Sequence, residues 1–170
     1  MNLNTINDIA SDLFLALKNQ ETVQPLSDKY DEIDINDAYQ ISRKFLSLRE
    51  DQGEKVIGKK IGVTSPVVQE MLGVNQPDFG FLTDKMQVKN KSNFSIKDSL
   101  IQPRAEAEIA FILKDDIQGP GITKEDVILA TEKIVPCFEI VDSRIDDWKI
   151  KIQDTIADNA FFGFFFFWFW

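Results

Sequence analysis

The sequence predicts an α+β protein, with helices in the first 53 residues and strands in most of the remainder. Apolar residues recur at helical spacing over residues 5–19 and 35–50. Later runs, at 56–63, 102–111 and 134–141, have the length and composition of strands. At 170 residues the chain is long enough for one domain with a substantial core.

The two predicted helices each present one apolar face, as expected for helices that pack on a core or on a neighbouring subunit. Asn4 or Thr5 can cap the start of the first helix, because a short polar side chain accepts a hydrogen bond from a free backbone amide there. Gly53 is a suitable end for the second helix. We therefore interpret residues 1–53 as a structural helical region and 54–160 as a β-rich region.

The first predicted strand, residues 56–63, is interrupted by Gly58 and Gly62. Glycine inside a strand often marks a bulge or the close approach of another group. Lys59 and Lys60 would point to opposite faces of this strand. An inward lysine could serve as an acid, a base or a positive charge, but the pattern alone favours two solvated lysines.

The segment that follows is predicted to be irregular. Residues 76–80, Gln-Pro-Asp-Phe-Gly, are typical of a turn in which Asp78 hydrogen-bonds its own backbone. Residues 86–88 could form a short strand, and residues 90–95 are predicted to be a polar loop.

Two glutamates lie two residues apart in the run 102–111. In a strand, Glu106 and Glu108 share one face, and the alternate residues form a second face that suits a core: Ala105, Ala107, Ile109 and Phe111. Two adjacent like charges are unfavourable unless a positive group compensates them. Oxygen ligands favour Mg²⁺, Mn²⁺ or Ca²⁺. Because an isolated Glu-x-Glu is common, this stretch alone favours a solvated edge strand.

A third carboxylate, Glu139, is the one charge in the apolar run 134–141, which follows a helix predicted over 123–133. It is a further candidate metal ligand. The alternative is an ion pair with a basic residue such as Arg144. Alternation over residues 150–152 predicts another short strand or sheet edge.

The composition excludes several classes of function. The formal net charge is −9 and the isoelectric point is near 4.5. Nucleic acids and anionic membranes bind clustered Lys and Arg, so neither is expected as a partner. Cys137, the single cysteine, is predicted to be buried and inert, and with no N-terminal signal pattern this indicates a cytoplasmic setting. Without any histidine, acid–base chemistry falls to Asp, Glu, Lys, Tyr or Cys, and oxygens must hold any metal.

The last ten residues, 161–170, are all Phe or Trp except Gly163. At about 150–250 Å² of buriable area for each aromatic residue, they form a larger apolar surface than a monomer usually tolerates. Ten residues are also too few to span a bilayer as a helix. Partner chains could bury this atypical aromatic tail, or it could cause aggregation. The interpretation we favour is an altered end of a longer chain.

Several motifs, in this order and spacing, carry a family resemblance. They lie at 58–65 (GKKIGVTS), 72–80 (LGVNQPDFG), 103–111 (PRAEAEIAF), 136–144 (PCFEIVDSR), 147–148 (DW) and 154–160 (DTIADNA). On these motifs the chain resembles the 2-hydroxypenta-2,4-dienoate hydratases, also called 2-oxopent-4-enoate hydratases. This family belongs to the fumarylacetoacetate-hydrolase-like superfamily and acts in the meta-cleavage breakdown of aromatic compounds.

The resemblance implies a metal-dependent hydro-lyase that adds water to 2-hydroxypenta-2,4-dienoate and gives 4-hydroxy-2-oxopentanoate. It implies that Glu106, Glu108 and Glu139 hold one Mg²⁺ or Mn²⁺, which leaves coordination positions for a 2-oxo acid and supplies a Lewis acid. The resemblance replaces the solvated-strand interpretation of Glu106 and Glu108 and the ion-pair interpretation of Glu139. It also replaces the solvated interpretation of Lys60.

The same resemblance assigns the other site residues. Lys60 and Asp78 are implied as catalytic residues for proton transfer. Asp158 and Asn159 are implied as substrate-binding residues. The implied fold adds a mixed, mostly antiparallel β-roll to the N-terminal helices. Family members continue past Ala160, so residues 54–160 are expected to be a partial catalytic domain that is incomplete at its C-terminus.

Two alternatives and two kinds of partner remain open. One alternative is a 2-oxo-3-hexenedioate (4-oxalocrotonate) decarboxylase of the same superfamily. The other is a non-catalytic truncated subunit or fragment. The resemblance implies a homo-oligomer, and a complex with the decarboxylase or aldolase of the pathway is a further expectation.

Overall fold

The computed structural model describes residues 1–89 and 93–168. Helices and antiparallel sheets are mixed along this part of the chain, which confirms the predicted α+β character. The helices are α1 (Leu3–Asn19), α2 (Leu26–Lys29), α3 (Ile35–Glu50), α4 (Pro66–Met71), α5 (Lys124–Ala130) and α6 (Ile152–Ala157). The strands are β1 (Val56–Gly62), β2 (Asp78–Thr83), β3 (Arg104–Leu113), β4 (Thr131–Val141) and β5 (Phe162–Phe167).

The main core lies where α1, α3 and α6 pack together. Helix α3 has the predicted bounds because Asp34 and Asp37 form a reciprocal capping box at its start. Helix α1 begins earlier than predicted, since Asn2 rather than Asn4 or Thr5 is its N-cap and accepts the Thr5 amide at 3.0 Å. Fully buried members of this core include Ile9, Leu13, Ala38, Ile41, Phe45, Ile145 and Ile156.

The strands form two separate antiparallel sheets. Strands β1 and β2 make a two-stranded sheet, and β3, β4 and β5 make a three-stranded sheet in that order. The chain passes from the first sheet to the second between β2 and β3, and it returns over the first sheet at residues 159–160. There the Gly80 Cα lies so near the Asn159 carbonyl that a Cβ would be 2.5 Å from its oxygen. This return places β1 and β2 against the three-stranded sheet.

Three local predictions are wrong. Residues 86–88 do not form a strand, because Asp84–Met86 is a 3₁₀ turn and Gln87 makes a single bridge to Phe165. Residues 150–152 do not form a strand either, since Lys151 caps helix α6. The helix predicted over 123–133 begins at a capping box between Thr123 and Asp126 but ends at Ala130, where the backbone extends into β4.

The face of β3 that was predicted to enter the core is exposed instead. Ile109 and Phe111 expose 63% and 51% of their surface, and Ile134 on the neighbouring strand exposes 59%. Alternation identifies the residues that share a face, but it does not identify what packs against that face. An apolar surface therefore remains on this side of the three-stranded sheet.

Most of the aromatic tail is part of the fold. Residues 162–167 form strand β5, which pairs with β4 from Val141 to Cys137. Phe162 and Phe165 are buried with Met86 in a small second core. Residues 169–170 of the tail and residues 90–92 of the predicted polar loop lie outside the described residues. Within residues 1–89 and 93–168, no helix combines the length and the apolar character needed to cross a membrane.

Candidate active site

The register of the three-stranded sheet brings three glutamates together. Glu106 on β3 lies directly opposite Glu139 on β4, and Glu108 occupies the next position on the same face. One carboxylate oxygen from each of the three lies within 4.8 Å of the others. Glu139 is buried, whereas Glu106 and Glu108 are exposed. The predicted common face of Glu106 and Glu108 is present, and Glu139 joins it from the neighbouring strand.

Lys60 is the cation that faces this cluster. Its Nζ donates to Oε1 of Glu139 at 2.6 Å and to the carbonyl oxygen of Ala160 at 3.0 Å. The Lys60 and Glu139 side chains expose only 10% and 7% of their surface. Strand alternation turns Lys59 outward. The interpretation of two solvated lysines is thus wrong for Lys60, and Glu139 pairs with Lys60 rather than with Arg144.

Burial and charge oppose each other at Glu139. Burial raises the pKa of the Glu139 carboxyl above its ordinary value, and the negative charges of Glu106 and Glu108 act in the same direction. The Lys60 ammonium lowers that pKa but does not cancel the effect of burial. Three carboxylates against one ammonium group leave excess negative charge at the cluster. Among the described residues, neither Glu106 nor Glu108 forms an ion pair.

A divalent cation fits this donor set. Three carboxylates face one ammonium group, so one bound cation of charge two would balance the cluster. All the donor atoms are oxygens, which are the ligands that Mg²⁺ and Mn²⁺ prefer. Two exposed ligands on β3 and one buried ligand on β4 leave one side of such a site open to a small molecule.

Asp78 is a buried carboxylate rather than a turn residue. It is the first residue of β2 and exposes only 2% of its surface. Neither side-chain oxygen has a hydrogen-bond partner in the part of the chain that the structure describes. Burial raises the pKa of Asp78, while the Lys60 charge and the nearby backbone amides act against that rise. Such a group is costly to bury, which is typical of a functional position.

The position of Asp78 depends on Gly62. The two residues are directly opposite each other in the β1–β2 ladder. A Cβ at position 62 would overlap Oδ1 of Asp78 and would lie 3.6 Å from Cε of Lys60. Gly62 therefore provides the space that the carboxylate occupies. The sequence contained a signal for this role, because glycine within a strand often permits close approach of another group.

Asp158 and Asn159 make internal contacts in the described structure. The Asp158 carboxylate accepts from Nε of Arg144 at 2.6 Å and from the Arg144 backbone amide at 2.8 Å, and both side chains are fully buried. Asn159 accepts the Phe81 amide at 2.7 Å and donates to the Phe81 carbonyl at 3.0 Å. These contacts hold residues 158–160 over strand β2, beside Lys60 and Asp78.

Cys137 lies on the same face as the three glutamates, directly opposite Glu108. It is half-buried rather than buried. Burial, together with the charges of Glu108 and Glu139, raises the pKa of the Cys137 thiol. A raised pKa keeps the thiol protonated and weakly nucleophilic, in line with an inert cysteine.

Comparison with known proteins identifies the family. A scan against models of protein families gives no match. Over 165 residues the chain is 57% identical to a 2-hydroxypent-2,4-dienoate hydratase of Pseudomonas putida, a match that covers 97% of this chain and 74% of that protein. The chain belongs to the 2-hydroxypentadienoate hydratase family. A 2-hydroxyhexa-2,4-dienoate hydratase of Comamonas testosteroni is 62% identical over 154 residues, or 90% of this chain and 58% of that protein.

A solved structure resembles this hydratase-family chain along nearly its whole length. It is the 4-oxalocrotonate decarboxylase from Pseudomonas putida G7, complexed with magnesium and adipate, at a TM-score of 0.94 and 29% identity. The match covers 99% of this chain and 64% of the decarboxylase. The chain thus spans about three-fifths of the decarboxylase and of the Comamonas relative.

Proposed function

We propose that this chain carries the metal-binding and proton-transfer residues of a lyase that hydrates 2-hydroxypenta-2,4-dienoate to 4-hydroxy-2-oxopentanoate. The observation that supports this most is the three-glutamate cluster beside Lys60, with the unpartnered Asp78 buried next to that lysine. Relatives named 2-hydroxypent-2,4-dienoate hydratase and 2-hydroxyhexa-2,4-dienoate hydratase support a 2-hydroxydienoate as the substrate. The pathway context is then the breakdown of aromatic compounds.

In this proposal Glu106, Glu108 and Glu139 hold one Mg²⁺ or Mn²⁺. The related decarboxylase was solved with magnesium, which supports the choice of cation. When bound, the ion supplies a Lewis acid that favours the 2-oxo form of the substrate. The exposed carboxylates of Glu106 and Glu108 leave the substrate side of the cluster open.

The reaction needs positioned proton carriers and no redox partner. Water and the dienol together contain the atoms of the product. One proton leaves the 2-hydroxyl group and one leaves the water molecule, while C5 and C3 each gain a proton. The oxygen of water forms its new bond to C4. A single group that can both take up and release a proton is sufficient to balance these transfers.

Asp78 is our candidate for that group. Burial raises its pKa, so the Asp78 carboxyl can hold a proton closer to neutral pH than an ordinary aspartic acid and can release it again. Lys60 supplies a fixed positive charge on the same side of strand β1. Hydrogen bonds from its Nζ to Glu139 and to the Ala160 carbonyl hold that charge at the glutamate cluster.

In this proposal Asp158 and Asn159 shape the substrate pocket by holding residues 158–160 in place. Their own polar atoms are engaged in contacts within the protein. Asp158 is engaged with Arg144, and Asn159 with both backbone groups of Phe81. Their substrate-binding role thus remains a prediction. A substitution at Asn159 is expected to move β2, and Asp78 with it.

A decarboxylase acting on 2-oxo-3-hexenedioate is the second candidate, and the structural similarity to 4-oxalocrotonate decarboxylase favours it. The sequence identity is 29% with that protein, against 57% and 62% with the two hydratases. The identities therefore favour hydration. Because the chain spans only part of these relatives, a non-catalytic subunit or fragment is the third candidate.

The remaining expectations belong to the same proposal. The sheets would form part of a fumarylacetoacetate-hydrolase-like β-roll, with 54–160 as the partial catalytic region. The exposed apolar face around Ile109, Phe111 and Ile134 is a candidate contact surface in a cytoplasmic homo-oligomer. A complex with the decarboxylase or aldolase of the pathway would add a second contact.

The test is an assay of the purified chain with each substrate. We expect Mg²⁺-dependent loss of the dienol absorbance and formation of 4-hydroxy-2-oxopentanoate, both abolished by a chelator and by Glu139→Gln. Release of carbon dioxide from 2-oxo-3-hexenedioate without hydration of the dienol would favour the decarboxylase. A folded, Mg²⁺-saturated chain that converts neither substrate would support the non-catalytic candidate.

A further inference from the structure

We propose that Arg104 binds the carboxylate group of the substrate at the edge of the glutamate cluster. This inference rests on the proposed function, because it assigns a residue to the acid group of a 2-oxo or 2-hydroxydienoic acid. Arg104 is the first residue of β3 and precedes Glu106 by two positions. It therefore lies on the same face of the sheet as Glu106 and Glu108, and its Cα is about 7 Å from that of Glu106.

The Arg104 side chain is held in place by an aromatic ring instead of an acid. Its guanidinium carbon lies 4.1 Å from the centroid of the Trp148 ring. In the part of the chain that the structure describes, Arg104 forms no ion pair, although two exposed glutamates follow it on the same face. A guanidinium stacked on a ring keeps the donors along its edge available for a planar anion.

Trp148 is itself fixed by the fold. Its indole Nε1 donates to the carbonyl oxygen of Gln102 at 3.2 Å, and its ring packs edge-on against Phe161 at 5.1 Å. The ring also contacts the main core. The Arg104 guanidinium is thus stacked on a ring that is itself held in place. Because Arg104 is already ordered, it loses less conformational entropy when it binds a ligand.

The charge pattern identifies the class of ligand. A bound divalent cation and Lys60 together only balance the three glutamates, so the acid group of a substrate adds a negative charge that a further cation close to the cluster offsets. Lys60 already donates to Glu139 and to a backbone carbonyl. Arg104 is the neighbouring cation whose donors are not engaged by an acid, and a guanidinium edge matches the two oxygens of a carboxylate. The inferred ligand group is therefore the single carboxylate of the hydratase substrate.

The experiment measures binding of 2-oxopentanoate, a saturated 2-oxo acid with no double bond to hydrate, by calorimetry on the Mg²⁺-loaded full chain. Arg104→Gln is expected to weaken this binding about 10- to 100-fold, the usual effect of losing a charge-assisted hydrogen bond. Arg104→Lys should retain part of the affinity, because it keeps the charge but not the planar fork. In turnover, Arg104→Gln should raise KM more than it lowers kcat.

Arg43→Gln is the matched control, since Arg43 is an exposed arginine on α3 far along the chain from the cluster. It should bind 2-oxopentanoate like the unmodified protein. Equal affinity in Arg104→Gln and Arg43→Gln would overturn the inference while leaving the hydratase proposal intact. A lower melting temperature with unchanged affinity would assign Arg104 a packing role on Trp148 and would also overturn it. If the unmodified protein neither binds 2-oxopentanoate nor hydrates the dienol, both proposals fail.

Discussion

Adding a single methyl group at position 62 should lower the catalytic rate far more than the stability of the fold. In Gly62→Ala the new Cβ would occupy the space of Oδ1 of Asp78 and would lie 3.4 Å from its Cγ. The group that must move is the end of a short side chain and not the backbone. The Asp78 carboxylate can therefore rotate away at a modest cost, about 1–3 kcal/mol for a well-packed site.

The effect on turnover should be much larger than the effect on stability. General acid–base catalysis by a positioned group contributes about 10²- to 10⁴-fold, and a displaced Asp78 loses that positioning. We therefore expect kcat for dienol hydration to fall at least about 100-fold, while urea unfolding shows a loss of about 1–3 kcal/mol. Mg²⁺ affinity should change little, because the three glutamates lie on the other sheet.

Gly58→Ala is the matched control for this prediction. Gly58 lies on the same strand, and its added Cβ would meet Leu82 Cδ1 at an ordinary 3.5 Å. Both substitutions remove a glycine from the unfolded chain, so that contribution to stability is similar in the two variants. Equal kcat in Gly62→Ala and Gly58→Ala would refute the argument that Gly62 makes room for a catalytic Asp78.

Three further predictions concern Asp78, Lys60 and the exposed apolar face. Because burial raises the pKa of Asp78, its ionised form destabilises the fold. Asp78→Asn should therefore be more stable than the unmodified protein, on the order of 1 kcal/mol at neutral pH, and should lose the ability to hydrate the dienol. The gain in stability should disappear as the pH falls below 3.8, the ordinary pKa of an aspartic acid. Lys60→Gln should bind Mg²⁺ several-fold more tightly in calorimetry yet turn over slowly, since it removes a positive charge 2.6 Å from Glu139. Phe111→Glu should lower the mass of any homo-oligomer in light scattering, because it places a charge on the apolar face.

Each of these predictions has a control on the same molecule. Asp84 is half-buried and its pKa is lowered by the Lys55 amide, so Asp84→Asn should shift stability in the opposite direction to Asp78→Asn. Lys59→Gln removes the neighbouring outward charge and should leave Mg²⁺ affinity nearly unchanged. Val67→Glu alters an exposed apolar residue on α4 and should leave the oligomer mass unaltered. The same response in variant and control would contradict the corresponding prediction.

The features that the sequence predicted well are those set by local chemistry. Helix α3 has its predicted bounds because a capping box and an apolar stripe are both encoded within the segment. The shared face of Glu106 and Glu108 follows from the alternation of a strand. Three alternating residues at 150–152 were too few to distinguish a strand from the start of α6, whose core packing determines the outcome.

The contacts that could not be predicted from local patterns join distant parts of the chain. The pair of Lys60 and Glu139 joins residues 79 positions apart, and nothing near Glu139 distinguishes Lys60 from Arg144 as its partner. Asp78 has the neighbours of a turn residue in sequence, yet pairing with β1 makes it the first residue of a strand. The exposure of Ile109 and Phe111 likewise depends on what covers the sheet, which alternation does not encode.

The measurement that tests the central claim most directly is calorimetric titration of Mg²⁺ into the purified chain and into the double variant Glu106→Gln, Glu139→Gln. We expect one bound ion per chain, and we expect the double variant, still folded by circular dichroism, to lose this binding. An unchanged stoichiometry and affinity in the double variant would contradict the claim that this cluster is the metal centre.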